Sequence, residues 1–137
     1  MGFYEYLPHT ADVRIRVVGS DLTDLFDSAL KGLCGVLFNE TFKNDSPAFK
    51  TKLNLTSIDS SALIIEFLSE VLMLMYNNKV VLPGLNISEL DNTHIIAELS
   101  GSHVDGFTED IKAVTYHGAE IITNSENQLE VIITLDI

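Results

Sequence analysis

Cationic side chains are scarce in this 137-residue chain, where eight Lys plus Arg stand against twenty Asp plus Glu for a formal net charge of −12. A protein of that sign has few cations with which to displace phosphate counterions, so autonomous nucleic-acid binding is not expected. Tryptophan is absent and Cys34 is the only cysteine, which excludes an intramolecular disulfide and a thiolate-rich zinc site. The opening MGFYEYLPHTADVRIR lacks the basic-then-apolar layout of a secretory signal. The longest apolar stretch, Leu63–Tyr76, is interrupted by Glu66, Ser69 and Glu70 and falls short of the roughly 20 residues that span a bilayer. The expectation is a cytoplasmic, reducing compartment without a membrane partner. Also missing are H-E-x-x-H, a glycine-rich phosphate loop and G-x-S-x-G, and with them the usual signatures of zinc-protease, nucleotide-binding and serine-hydrolase chemistry.

What is present is enough apolar material, 46% of residues, for one core, and no linker divides residues 1–137, so a single domain is expected. The acids are unevenly spread. Residues 1–68 carry nine acids and six bases, whereas residues 80–137 carry ten acids and one base, Lys112. Such an excess suits cation binding or docking on a basic partner.

Val13–Val17 alternates apolar and charged, predicting a strand with Val13, Ile15 and Val17 inward. Ser20 offers a cap for a helix whose first turns hold Asp21, Asp24 and Asp27, and whose apolar stripe runs from Leu22 to Leu37. Residues 40–49 read as a polar loop, Lys50–Thr56 as a strand, and Ser60–Tyr76 as a helix buried on most sides. Strand-like runs follow at about 79–82, 85–90, 93–100, 112–123 and 128–136, the last two as a hairpin. Strands gathered late with only two helices predict an α+β fold, with the helices packed on a mostly antiparallel sheet.

Three stretches stand out from scaffolding. In His9-Thr10-Ala11-Asp12, His9 and Asp12 suit an acid–base pair, or Asp12 a hard-metal ligand; from spacing alone, a turn at Pro8-His9-Thr10 with Asp12 as an exposed strand residue is the favoured reading. In Lys112–His117, alternation puts Lys112, Val114 and Tyr116 on one face and Ala113, Thr115 and His117 on the other. Lys112 reads as a general base, a phosphate contact or a charge-balancing surface residue. In the terminal strand, Leu129, Val131, Ile133, Leu135 and Ile137 share a face, leaving Asp136 opposite. If the strands bearing Asp12 and Asp136 are neighbours, these two carboxylates and that of Ile137 converge. Clustered carboxylates repel unless a cation or proton neutralises them, and oxygen-only donors select a hard ion such as Ca²⁺ or Mg²⁺.

Together, H-T-A-D at 9–12, K-A-V-T-Y-H at 112–117 and the terminal Asp136-Ile137 resemble the signature of the archease family. The likeness runs the length of the chain. It departs in lacking the tryptophans that many members carry in the second helix and near the last hairpin. It implies a small α+β sandwich related to a duplicated strand–helix–strand–strand module. It also implies a non-enzymatic protein cofactor of an RtcB-type RNA ligase, which promotes that ligase's GTP-dependent guanylylation and multiple turnover in tRNA splicing and RNA repair. By the same likeness a divalent ion, Ca²⁺ ahead of Mg²⁺ or Mn²⁺, is held by Asp12, Asp136 and Ile137, while His9, Lys112 and His117 are further candidate functional residues. Two other readings compete: a general metal-binding or chaperone-like module for RNA-processing proteins, and a small metal-dependent hydrolase using His9, Asp12 and His117.

Overall fold

Two antiparallel sheets enclose two helices in the computed structural model, which describes residues 2–7 and 12–137. In chain order the elements are β1 (Phe3–Leu7), β2 (Val13–Gly19), α1 (Leu22–Leu37), β3 (Ala48–Thr56), α2 (Ser60–Asn78), β4 (Val80–Leu90), β5 (His94–His103), β6 (Ala113–Thr115), β7 (Ile122–Thr123) and β8 (Leu129–Asp136). The first sheet runs β1-β2-β8-β6, with β7 also paired to β8; the second runs β3-β5-β4. The predicted helices therefore pack on antiparallel strands as expected, but the strands form two layers instead of one.

Asp21, not Ser20, caps α1: its carboxylate accepts the Asp24 N–H at 2.8 Å, while the Ser20 N–H and hydroxyl both donate to the Asp24 carboxylate. Asp59 caps α2 in the same way through the Ala62 N–H. α2 reaches Asn78, two residues past its predicted end, and stops where Lys79 turns left-handed at φ 56°. It is the one described helix long and apolar enough to cross a bilayer by length and composition. Its Leu63, Ile64, Ile65, Phe67, Leu68, Val71 and Met75 are instead wholly buried between the sheets, with the Phe67 ring 5.3 Å from that of Phe26 on α1.

Two strand predictions are corrected, and one strand was not predicted. Residues 3–7 form an edge strand that the pattern did not announce, since Phe-Tyr-Glu-Tyr-Leu has no clear alternation and stays largely exposed. Tyr6 anchors it by donating to the Gly32 carbonyl of α1 at 3.1 Å. Residues 79–82 and 85–90 are one strand interrupted by a register shift between Val81 and Gly84, where Pro83 lacks an N–H for the ladder. A side chain at Gly84 would meet Ser100 Oγ at 2.2 Å, so glycine permits the close crossing. The run 112–123 breaks into β6 and β7 because Gly118, at φ 68°, turns the chain.

On the outer face of the first sheet, Arg16 bridges Glu5 at 3.2 Å and Glu130 at 3.0 Å, and its guanidinium lies 5.4 Å from the centre of the Phe3 ring. Hydrogen bonds from Asn124 and then Arg16 hold the Glu130 carboxyl below the usual carboxylate range. A depressed folded-state pKa gives stability that is present above the unfolded value of about 4.3 and lost as pH falls through the folded value. Glu130→Gln is therefore expected to destabilise at pH 7, by no more than about 1 kcal/mol at so exposed a network, and to be near neutral at pH 3. Urea unfolding at the two pH values checks this; an equal loss at both would overturn it.

Candidate functional site

β2 and β8 are neighbours, and their register sets the geometry of the site. Val13 faces Leu135, Ile15 faces Ile133 and Val17 faces Val131, all on the inner side. The ladder ends at the Val13–Leu135 pair, and Asp12 and Asp136 are the residues adjoining that pair at this end of the sheet. β6 closes the other flank: Ala113 pairs with Asp136, and the Lys112 N–H donates to the Asp136 carbonyl at 2.7 Å. Asp136 is exposed and Asp12 half-buried, while the Ile137 side chain packs inward against the core.

Asp12 opens onto a cleft of about 350 Å³ on that outer face, lined also by Arg14, His117, Gly118, Ile132 and Thr134. His117 is exposed and joins the cleft because the turn at Gly118 carries it back over β8. Thr134 is only 6% exposed, and beside it on β6 the hydroxyl of Thr115 is buried with no hydrogen-bond partner. Among the described residues no hydrogen bond joins either threonine hydroxyl to His117. Arg14 and Thr134 were not singled out in the sequence. The signal was the alternation of β2, which puts Arg14 on the same face as Asp12.

Lys112 lies elsewhere. Val114 points into the core, and Lys112, two residues before it, lines a hollow of about 340 Å³ against Leu72, Met73 and Tyr76 of α2. Its side chain makes no ion pair with an acid among the described residues, and alternation from Ala113, the partner of Asp136, puts it on the opposite face. His9, with the rest of residues 8–11, lies outside the described residues. Cys34 is core: burial in α1 pushes its thiol up to about 12, away from any nucleophilic role at neutral pH.

The donor set at the strand ends is oxygen only, which suits a hard divalent ion. Among the described residues no group of three His, Cys, Asp or Glu side chains is close enough to hold a metal. Asp12 and Asp136 bring two carboxylates to the same end of the sheet, beside the Val13–Leu135 pair.

Comparison with known proteins decides the family. The sequence profile of the archease protein family matches residues 4–137. This chain belongs to the archease family. Among archeases, it is 31% identical over 128 residues to the protein from Methanosarcina mazei, covering 86% of this chain and 85% of that one. It is 30% identical over 144 residues to the archease-like protein of Drosophila melanogaster, covering 98% and 90%. The fold matches the solution structure of protein 1598 of Methanobacterium thermoautotrophicum with a TM-score of 0.76 at 22% identity, over 98% of each chain. An archease from Thermotoga maritima, described as a possible chaperone, matches with a TM-score of 0.68 at 12% identity, over 97% of this chain and 96% of that one. The three-stretch signature and the α+β fold expected from it are therefore those of an archease.

Proposed function

We propose that this archease is a non-enzymatic protein cofactor of an RtcB-type RNA ligase, acting in the cytoplasm to promote the ligase's GTP-dependent guanylylation and repeated turnover. The observation that supports the reading is the β2–β8 pairing, whose last pair, Val13 with Leu135, is adjoined by Asp12 and Asp136 in a chain of this family. On this reading a divalent ion, Ca²⁺ first and Mg²⁺ or Mn²⁺ as substitutes, is held by Asp12, Asp136 and the α-carboxylate of Ile137. An ion bound there supplies positive charge against phosphate oxygens at the ligase centre. The chain's own part is to fix the two carboxylates at the rim of a rigid sheet and to dock. Ten acids after residue 80 against one base give a negative surface complementary to a ligase mouth that must hold RNA and nucleotide. Such complementarity speeds encounter. Lys112, on the far side of β6, has no part in holding the ion.

The test is multiple-turnover RNA ligation by an RtcB-type ligase with GTP and a divalent ion, with and without this protein. The expected result is continued turnover only when the protein is present; equal progress curves would sink the proposal. A chain extended by a few glycines and serines beyond Ile137 displaces the terminal carboxylate while leaving the strand intact. It is expected to lose ion binding by calorimetry and stimulation of the ligase, with an unchanged circular dichroism spectrum. Full stimulation by the extended chain would remove Ile137 from the ligand set. A chaperone-like module acting on other RNA-processing proteins is the second reading, favoured by the description of the Thermotoga maritima relative. It predicts protection of an unrelated aggregating client without any ligase.

A further inference from the structure

The outer cleft holds a cation that the fold does not use. Arg14 pairs through its backbone with Leu7 on β1 and Thr134 on β8, and its half-buried side chain lines the cleft beside Asp12, His117 and Thr134. Two residues along the same face, Arg16 is engaged by Glu5 and Glu130. Arg14, by contrast, makes no hydrogen bond or ion pair with any described side chain. A guanidinium presents five donors, and a partly buried one left without an acceptor is costly. The polar groups around it add to the same imbalance. Thr134 is 6% exposed, and the buried hydroxyl of Thr115, across the β6–β8 ladder from it, has no partner among the described residues. His117 adds an imidazole at the rim. Asp12 is the one anion among the described residues that line the cleft.

The geometry points to a phosphate subsite: Arg14, flanked by Thr134 and His117, takes the phosphoryl group of a nucleotide in the cleft next to the Asp12–Asp136 carboxylates. A planar guanidinium matches two phosphate oxygens, and hydroxyls complete the shell. The cleft, about 350 Å³, admits a phosphate and its ribose rather than a folded RNA. A net charge of −12 opposes an anion anywhere else on the surface, so the subsite has to be local and is strengthened when a cation offsets Asp12 and Asp136. The inference extends the ion-site reading given above, but Arg14 and the carboxylates are separable by experiment.

Amide and arginine side-chain resonances of the full-length labelled protein are followed by nuclear magnetic resonance during titration with inorganic phosphate, GMP and guanosine, each with and without Mg²⁺. Phosphate and GMP are expected to move Thr115, Gly118, Thr134 and the Arg14 Nε–H, with tighter binding in Mg²⁺, while guanosine moves none of them. Arg14→Gln is expected to weaken GMP by about tenfold or more. It is expected to leave the response of Asp12 and Asp136 to Mg²⁺ alone unchanged, with Arg14→Lys intermediate. Equal GMP affinity in wild type and Arg14→Gln overturns the subsite, as does guanosine binding as well as GMP, or no response to either phosphate ligand. If Mg²⁺ leaves Asp12 and Asp136 unmoved while GMP still needs Arg14, the phosphate subsite stands and the ion site falls. Tighter binding of a short oligoribonucleotide 3′-phosphate than of GMP would assign the phosphate to an RNA end, and the reverse to a free nucleotide.

Discussion

Asp12→Ala is expected to return an RtcB-type ligase to the turnover it shows with no archease present. Asp12 and Asp136 adjoin the last β2–β8 pair, Val13 with Leu135, and in the proposed ligand set deleting one leaves a single side-chain carboxylate and the chain terminus for a hard ion. Losing one of so few charged oxygen donors lowers ion affinity by on the order of a hundredfold. The fold should survive, because Asp12 sits at a strand end outside the core; a shift in thermal midpoint of about 4 °C or less is anticipated. Calorimetric titration with Ca²⁺ and Mn²⁺ and a ligation time course together check the claim. If the variant stimulates the ligase as fully as the unaltered protein, the ion has no functional part.

A second large effect belongs to the middle of the sandwich. Phe67→Ala is expected to cost about 3–5 kcal/mol, the range for truncating a buried phenylalanine. The ring is fully buried on α2 and packs against Phe26, itself fully buried on α1, so the cavity would open where the helices meet between the sheets. Neither sheet can follow inward without breaking its own ladder. Against a typical stability of about 5–15 kcal/mol this is a large fraction, and the thermal midpoint should fall by about 10–20 °C. Urea denaturation of Phe67→Ala beside Phe67→Leu measures it. A loss for alanine under about 1 kcal/mol would mean that the helix interface rearranges freely.

Sequence patterning succeeded where one face of an element is buried and the other is wet. Val13, Ile15 and Val17, and Leu129 to Leu135 on β8, alternate cleanly because each strand has core on one side only. The stripe of α1 and the nearly all-round apolar surface of α2 likewise report burial against one sheet or between two. The pattern was silent on β1, whose Tyr4 and Tyr6 lie over Gly32 and Gly35 of α1 while remaining partly exposed, so no polar–apolar contrast marks the strand. It also could not register that Val81 and Gly84 belong to one bulged strand, since a bulge changes pairing and leaves hydropathy untouched.

For the site, strand parity alone was sufficient to place Asp12 and Asp136 on the outer side. That both adjoin the same strand pair needed the long-range β2–β8 pairing, which no local signal encodes. Lys112 shows the limit from the other direction. Its isolation among acids was evident in composition, yet only the position of α2 reveals that it faces away from them. Arg14 was hidden for a related reason: a lone guanidinium looks like ordinary strand alternation until its neighbour Arg16 is seen to take both available carboxylates.

The placing of β8 has a kinetic consequence. The sheet β3-β5-β4 is assembled wholly from residues 48–103, by pairings close in sequence. The other sheet has β8 at its centre, joined to β2 more than a hundred residues earlier, with β6 and β7 along its opposite edge. Closing so long a loop has an entropic cost that local pairings avoid, and it slows the contacts that depend on it. During refolding, amide protection should accordingly arise in β3, β4 and β5 before β2 and β8. The end of the sheet that carries Asp12 and Asp136 is then among the latest features of the molecule to form, and its assembly reports that the whole chain has reached its native topology.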